Sequence, residues 1–458
     1  MPLDEFFNPK SIAVVGASRT PGKLGYSILE NLKISFNGKI YPINPNTGEI
    51  LGLIAYPSVL EVKEPIDHAV IVVPAEIVKK IVEECIKKKI KAVTIISSGF
   101  SEIGENEREL ELKKLSKSKK IRIMGPNCIG IYKKDLDMIF FPRNRLKRPP
   151  EGSISFITQS GAFGSILLDM MSNDGVGVSK FISVGNKVDV DEIDLLKYLE
   201  NDLTTRCIAI YLESVKDGKE FIKVAQNVTK KKPIVIFKAG KTEKGSEAVL
   251  SHTGSLAGSS EVYSAAFKQA GIIEAKTSEE IFDFAKALAN QPVLKDNKIA
   301  VVTDGGGFGI VATDAAINYG LELPELNPET VKTLKQVLPK YGIAKNPVDL
   351  TGDATVERYE KTLEAVLKDK NIAGMVCIVL MQIPTLSDDI VNVLREAKVY
   401  GKPITVCSAG GDFVLERSRK LERFGIPVYP TPERAVKALA VLYEYGKILK
   451  REEVIKKK

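Results

Sequence analysis

Short apolar runs, separated by polar and glycine-bearing stretches long enough to hold a helix, recur along the whole chain. Ile12–Val15, Ala69–Val73, Ala92–Ile96 and Ile121–Met124 are such runs. Each reads as a strand buried on both faces, with room for a helical crossover before the next. The rhythm pauses at Pro149-Pro150 and restarts with Ser153–Ile157, Val178–Ser183, Cys207–Leu212 and Pro233–Lys238. A further restart at Lys298 brings Ile299–Thr303, Ala373–Leu380 and Pro403–Cys407. The pattern predicts an α/β protein of three consecutive doubly wound domains, over residues 1–148, 149–292 and 293–458. A length of 458 residues agrees, because one hydrophobic core rarely grows so large.

Composition removes several function classes. A hydrophobic share of 44% and a charged share of 27% are ordinary for a soluble globular protein. No apolar run approaches the length of a membrane span, and residues 1–9 carry acids without an apolar signal core, which predicts a cytoplasmic protein with no membrane association. Cys85, Cys128, Cys207, Cys377 and Cys407 are odd in number and show no CxxC spacing. They predict reduced thiols, with neither a disulfide framework nor a zinc site. The net charge of +8 does not point to nucleic acid, because the lysines are spread over helices and concentrate only at Lys456–Lys458 and in runs such as Lys230–Lys232, and no aromatic residues interleave with them. A mildly basic surface suits small polyanions or an acidic partner subunit.

Three strand-to-helix turns carry the candidate chemistry. Gly16-Ala17-Ser18-Arg19-Thr20-Pro21-Gly22-Lys23-Leu24-Gly25 joins the first strand to a helix predicted over 26–32. Glycines there let backbone N–H groups approach phosphates, and Arg19 and Lys23 add charge. The spacing is not GxGxxG, and Lys39, not an acid, stands about 20 residues on, where a ribose partner is expected. A nicotinamide cofactor is disfavoured; a nucleotide with an extra phosphate fits better, Lys39 being either a phosphate contact or a solvated strand-end lysine. Gln159-Ser160-Gly161-Ala162-Phe163-Gly164 precedes a helix predicted over 165–171. Its N–H groups suit inorganic phosphate or a phosphohistidine, the alternative being a plain glycine-assisted turn. Asp304-Gly305-Gly306-Gly307-Phe308-Gly309 repeats the arrangement ahead of a helix predicted over 310–318.

The chain has two histidines. His68 opens an apolar strand and reads as structural. His252 lies in Ser251-His252-Thr253-Gly254-Ser255-Leu256-Ala257-Gly258, with no second histidine or nearby cysteine to complete a metal site. Its small neighbours leave room for a covalent phosphoryl group; the alternative is a loop histidine making one hydrogen bond. Glu213 follows the run Ile208–Leu212, at the carboxyl end of a predicted strand, where active sites of open α/β sheets gather. It is either an exposed strand-end acid or the carboxylate that fixes the tautomer of His252.

Gly16-Ala17-Ser18 with Gly22-Lys23-Leu24-Gly25, Tyr41-Pro42-Ile43-Asn44-Pro45, Val72-Val73-Pro74, Ser97-Ser98-Gly99-Phe100, Gly125-Pro126-Asn127-Cys128, Thr158-Gln159-Ser160-Gly161 and Ser251-His252-Thr253-Gly254 occur in one order along the chain. In that order they resemble the α subunit of ADP-forming acetyl-CoA synthetase (acetate–CoA ligase, ADP-forming), a family related to succinyl-CoA ligase. The resemblance spans almost the entire chain. It implies a Rossmann-like CoA-binding domain followed by two flavodoxin-like domains of the succinyl-CoA-ligase type. It places coenzyme A or acetyl-CoA on Gly16, Ala17, Ser18, Arg19, Lys23 and Gly25, with Lys39, Asn44, Val73, Pro74, Ser97, Ser98, Gly99 and Asn127 around them. It places phosphate on Gln159, Ser160 and Gly161 and on Gly305, Gly306 and Gly307. His252 becomes the phosphohistidine, on a mobile loop with Gly240, Gly245, Gly254 and Gly258 as permissive positions, and Glu213 orients it.

The implied reaction exchanges phosphate with a nucleotide, yet the chain contains neither a Walker loop nor an ATP-grasp segment. ADP/ATP and Mg²⁺ are therefore expected on a partner ATP-grasp β subunit, in an α2β2 heterotetramer, with no metal on this chain. The implied activity is reversible conversion of acyl-CoA, phosphate and ADP into carboxylic acid, CoA and ATP through an acyl phosphate and a phosphohistidine. Asp349, in Asn346–Asp353, matches a family motif without a chemical role legible from sequence. Two alternatives stand beside this reading. A noncatalytic CoA- or acyl-CoA-binding regulatory module is disfavoured because no acyltransferase segment is attached and both His252 and Glu213 are present. A succinyl-CoA ligase α subunit is disfavoured because it lacks the third domain.

Overall fold

The computed structural model describes residues 3–117, 120–253 and 259–456. They build three largely parallel sheets flanked by helices, and the chain groups into two compact units, Met1–Asn173 with Val178–Lys276, and Asp174–Gly177 with Thr277–Lys458.

The first unit holds two sheets. The first has the order Lys39–Ile43, Ser11–Val15, His68–Ile71, Ala92–Ile95, Arg122–Met124, all parallel. Ile12, Val14, Ala69 and Val70 are fully buried, as continuous apolar runs in a sheet covered on both faces should be. Helix Leu24–Ser35 packs here through Ile28, Leu29 and Leu32. Its close approach depends on Gly25, where a Cβ would sit 2.1 Å from the Gly16 carbonyl oxygen. The second sheet runs Ile273–Ala275, Ile234–Lys238, Cys207–Leu212, Glu151–Thr158, Val178–Ser183 in parallel. Its far edge is completed by the antiparallel hairpin Ile131–Lys133 and Leu136–Asp137. That hairpin precedes Pro149-Pro150, so chain from the first segment is built into the second sheet. Strands of two or three residues carry too little alternation to be read from sequence.

The second unit carries the order Ile343–Ala344, Val348–Asp349, Ile299–Thr303, Gly374–Ile378, Ile404–Cys407, Val428–Tyr429, parallel except for the first pair. Helix Ser278–Asn290, with residues 281–289 all buried, belongs to this unit, and its Lys286 forms a fully buried pair with Glu422 at 3.0 Å.

Three expectations change. The helices read as 165–171 and 310–318 start earlier, at Gly161 and Gly306. Low glycine propensity hid their first turns, but each strand ends in a threonine that ties the turn directly into a helix. His252, expected on a loop, falls in the helix Glu243–Thr253. Thr242 explains this: its hydroxyl oxygen accepts from the Gly245 N–H at 3.0 Å and its carbonyl from the Ser246 N–H at 2.8 Å, an N-cap that starts a helix through Gly245. The His252 side chain, Gly254 and Gly258 lie outside the described residues. All five cysteines are buried with free thiols, and no described helix is long and apolar enough to cross a membrane.

Candidate active site

A cleft of about 690 Å³ opens in the first unit where the carboxyl ends of the first sheet meet the start of helix Gly161–Asp174. Carboxyl ends of parallel strands collect ligands because the chain turns there into helix N-termini whose N–H groups lack intrahelical partners. On one side Gly16 takes φ +91°, and a Cβ there would lie 2.2 Å from the Val72 carbonyl oxygen. Glycine is therefore required at 16 by strand packing. The Asn44 amide donates to the Ala17 carbonyl at 2.8 Å, and the Ser97 hydroxyl oxygen accepts from the Val73 N–H at 3.2 Å and donates to its carbonyl at 2.5 Å. These side chains brace the turns that form the wall, leaving Ser18, Lys23, Pro74, Ser98 and Asn127 on its lining.

The opposite side is built from the second sheet. Thr158 at the end of its strand donates to the Ser160 carbonyl at 2.7 Å, and the Ser160 hydroxyl caps the helix by accepting from the Phe163 N–H at 3.2 Å. The N–H groups of Gly161 and Ala162 have no partner within the helix and lie on the cleft lining. Gln159 serves another purpose: its side-chain carbonyl accepts from the N–H of Glu213 at 2.6 Å and of Ser214 at 3.1 Å. The turn carrying Glu213 is held from other directions too. The Lys187 ammonium donates to the Ser214 carbonyl at 2.7 Å and to Glu192 at 2.9 Å, and the Tyr263 hydroxyl accepts from the Val215 N–H at 3.2 Å. Glu213 itself is 4% exposed, so the exposed strand-end alternative is removed.

The charges around Glu213 follow from this burial. Lys238, beside Leu212 in the sheet register and 2% exposed, is pushed down by burial to about 8, while the Glu213 carboxylate favours its charged form. Burial raises the Tyr211 hydroxyl, and the Glu213 charge adds to the rise. The Lys238 ammonium also lies 4.7 Å from the centre of the Tyr263 ring. A buried carboxylate on a backbone turn clamped in this way, beside a buried cation, can orient an imidazole and stabilise it as its charge changes.

Several sequence-selected residues fall elsewhere. Lys39 begins its strand beside Ser11, whereas the cleft lies beyond Ile43; four strand rises separate the two ends by roughly 13 Å. It is exposed at the opposite edge of the sheet and is not brought to the cleft. Arg19 is exposed and off the lining, and Gly99 lies just beyond it, with its N–H bonded to Glu102 at 2.5 Å and its carbonyl to Arg108 at 3.0 Å. In the second unit Gly305 is the N-cap of helix Gly306–Asn318, and Asp349 Oδ2 lies 3.0 Å from where a Gly306 Cβ would stand. The adjacent Asp304 is 2% exposed and accepts the Leu380 N–H with both oxygens, at 3.0 and 2.9 Å. Burial pushes it up to about 6, with the Tyr359 hydroxyl and Leu380 N–H opposing and the Asp349 charge adding. One carboxylate, that of Asp349, therefore stands beside the turn read as a phosphate site. This gives Asp349 a place, at the positive end of a helix, where an acid is stabilised. Among the described residues no cluster of three or more His, Cys, Asp or Glu side chains is arranged to hold a metal ion.

Family profiles match a CoA binding domain over residues 10–134, a succinyl-CoA ligase like flavodoxin domain over 151–288 and a Ligase-CoA domain over 299–451. The chain is 44% identical to the α subunit of acetate–CoA ligase [ADP-forming] I of Pyrococcus furiosus, over 98% of both chains. It belongs to the ADP-forming acetate–CoA ligase family. With the acetate–CoA ligase [ADP-forming] I of Archaeoglobus fulgidus it shares 42% identity over 99% of its own length and 65% of that relative's, so it spans a little under two thirds of that protein. Among solved structures, the dinucleotide-forming acetyl-coenzyme A synthetase 1 of Ca. Korarchaeum cryptofilum, in complex with phosphate and ADP, matches with a TM-score of 0.91 at 39% identity over 98% of each chain.

In this member of the ligase family, sequence reasoning missed Ile129 and Phe140 on the cleft lining and Lys187 and Lys238 around Glu213. Lys238 had only a weak signal, a lysine ending the apolar run Ile234–Phe237, since strand-end lysines are mostly solvated. Lys187 had none, since it sits at φ +56° in a loop between elements.

Proposed function

We propose that the chain is the α subunit of an ADP-forming acyl-CoA synthetase that reversibly converts acetyl-CoA, phosphate and ADP into acetate, CoA and ATP. The single observation that carries this is the Gln159 link: one residue joins a helix N-terminus on the CoA-side cleft to the backbone that presents buried Glu213. Acetyl-CoA binds along Gly16–Ser18, Lys23, Asn44, Val73-Pro74, Ser97-Ser98 and Asn127. Phosphate rests on the Gly161 and Ala162 N–H groups, where the helix dipole contributes up to ~2 kcal/mol. A phosphate oxygen attacks the thioester carbonyl, the C–S bond breaks, and CoA leaves as acetyl phosphate forms. A nitrogen of His252, its tautomer held by Glu213, then attacks phosphorus, acetate leaves, and phosphohistidine remains. Helix Glu243–Thr253 carries that group to ADP, and ATP forms as the P–N bond breaks.

No Walker loop is present in the sequence, so ADP and Mg²⁺ are assigned to an ATP-grasp β subunit, in an α2β2 heterotetramer working in the cytoplasm. The names of the Pyrococcus and Korarchaeum relatives, and the phosphate and ADP bound to the latter, support this reading. The test is to incubate the full chain with acetyl-CoA and radiolabelled phosphate. Acid-labile label is expected on the natural chain and none on His252→Ala. Label that survives His252→Ala contradicts the proposal; no label on either chain leaves a noncatalytic binding module.

A further inference from the structure

We infer that Ile129 and Phe140 form the wall that meets the acyl group, and that they restrict the acid to a short, uncharged chain. This rests on the proposed function, because it takes the Gly161 helix N-terminus as the phosphate site. For attack to occur, the thioester carbonyl must come within about 3–3.5 Å of a phosphate oxygen. The acyl group therefore lies against whatever adjoins Gly161. That neighbour is Ile129: a Cβ at position 161 would stand 2.7 Å from Ile129 Cγ2. Phe140 is its backbone partner across the open end of the edge hairpin, with the Phe140 N–H donating to the Ile129 carbonyl at 3.3 Å, and both side chains line the cleft.

The wall is fixed in place. The Asn31 amide donates to the carbonyls on both sides of Phe140, Ile139 at 2.7 Å and Phe141 at 3.0 Å. Asp137, fully buried, pairs with Arg143 and Arg148 at 2.9 Å each and anchors the segment that follows. Gly130, at φ +112°, lets the two hairpin arms close, since a Cβ there would lie 2.3 Å from the Met138 carbonyl oxygen. A wall that cannot retreat discriminates by size. Its third member, Cys128, is 2% exposed and donates its thiol to the Ile95 carbonyl at 3.3 Å, so it brings no cation. A second carboxylate on the substrate would be pressed against the apolar side chains of Ile129 and Phe140, which offer it no hydrogen bond. Short monocarboxylic acids are thus admitted, and dicarboxylic and longer acids excluded.

The test compares dissociation constants of the full chain for free CoA, acetyl-CoA, hexanoyl-CoA and succinyl-CoA by titration calorimetry. The natural chain should bind acetyl-CoA at least 10-fold more tightly than either longer thioester, the order expected for methylene-scale discrimination in a closed apolar pocket. Phe140→Ala and Ile129→Ala should bring hexanoyl-CoA within about threefold of acetyl-CoA while succinyl-CoA stays weak. Phe140→Leu, a smaller cut that keeps the wall apolar, should give an intermediate ratio and serves if the alanine variant does not fold. An unchanged hexanoyl-to-acetyl ratio in Phe140→Leu and Ile129→Ala, with free CoA still bound, would overturn the wall alone. A natural chain that binds no free CoA would overturn the functional reading beneath it.

Discussion

The helix that begins at Gly161 in the first unit and the one that begins at Gly306 in the second are built on the same plan, yet different side chains stand at their starts. In both, the strand ends in a threonine whose hydroxyl donates to the carbonyl two residues on, Thr158 to Ser160 at 2.7 Å and Thr303 to Gly305 at 2.9 Å. In both, a glycine three residues into the helix lies against that threonine's methyl group, Gly164 at 2.6 Å and Gly309 at 3.0 Å from a Cβ position. The first turn is capped by Ser160 and opens on a cleft whose lining includes Lys23, with Glu213 and Lys238 held behind Gln159. The second has no side-chain cap, and Asp349 stands beside Gly306 on a lining that also carries Lys345. Glycine spacing specifies the turn. The side chains that later elements bring to it distinguish the two sites.

The largest expected effect concerns the scaffold behind the first turn. Lys187→Met leaves Glu192 buried without its cation, both side chains being 2% exposed, and should lower unfolding free energy by about 3–5 kcal/mol in denaturant titrations. A loss under 1 kcal/mol would show that the clamp is not a unit. Glu213→Gln keeps the backbone bonds to Gln159 but removes the carboxylate. Incorporation of labelled phosphate should fall by roughly 10²-fold or more with the melting temperature little changed; an unaltered rate would remove Glu213 from the reaction.

The second turn yields a pH signature. Asp304 titrates near 6 when folded, above the ordinary carboxylate value of 3.8. The folded state therefore holds a proton that the unfolded chain has lost, and the stability from that proton is present below about 4 and lost as pH rises through 6. Asp304→Asn should be more stable than the natural protein at pH 7.5, by on the order of 1–3 kcal/mol, with the gap closing toward pH 4. A gap independent of pH would contradict the assignment. The smallest effect is expected from Asp349→Asn. Phosphate incorporation should stay within about twofold, because the account places the anion at the other turn; a tenfold change in either direction would show that the Gly305–Gly307 turn participates.

Much of the architecture was legible because parallel strands buried on both faces must be apolar throughout, as Ile12–Val15 and Ile299–Val302 are. The hairpin at Ile131–Asp137 was not, since its pairing comes from the edge strand Val178–Ser183 and not from its own pattern. Spacing from the glycine turn points to Lys39, but residue 39 begins its strand beside Ser11, at the amino end of a parallel sheet, which agrees with the solvated strand-end alternative. His252 was read as a loop residue from its small neighbours, while Thr242, ten residues earlier, starts the helix that contains it. Glu213 was legible as a strand-end acid, but its clamp was not: Gln159, Lys187 and Tyr263 come from two loops and a helix far apart in sequence, and no local pattern brings them together.

Of the two look-alike helix N-termini, the one at Gly161 is the proposed phosphate site. A crystal structure of the full chain grown with acetyl-CoA and phosphate tests it directly. Tetrahedral density within hydrogen-bond distance of the Gly161 and Ala162 N–H groups, beside the thioester, is the predicted result. Phosphate bound instead at Gly305–Gly307 against Asp349, with the Gly161 turn empty, would contradict the account.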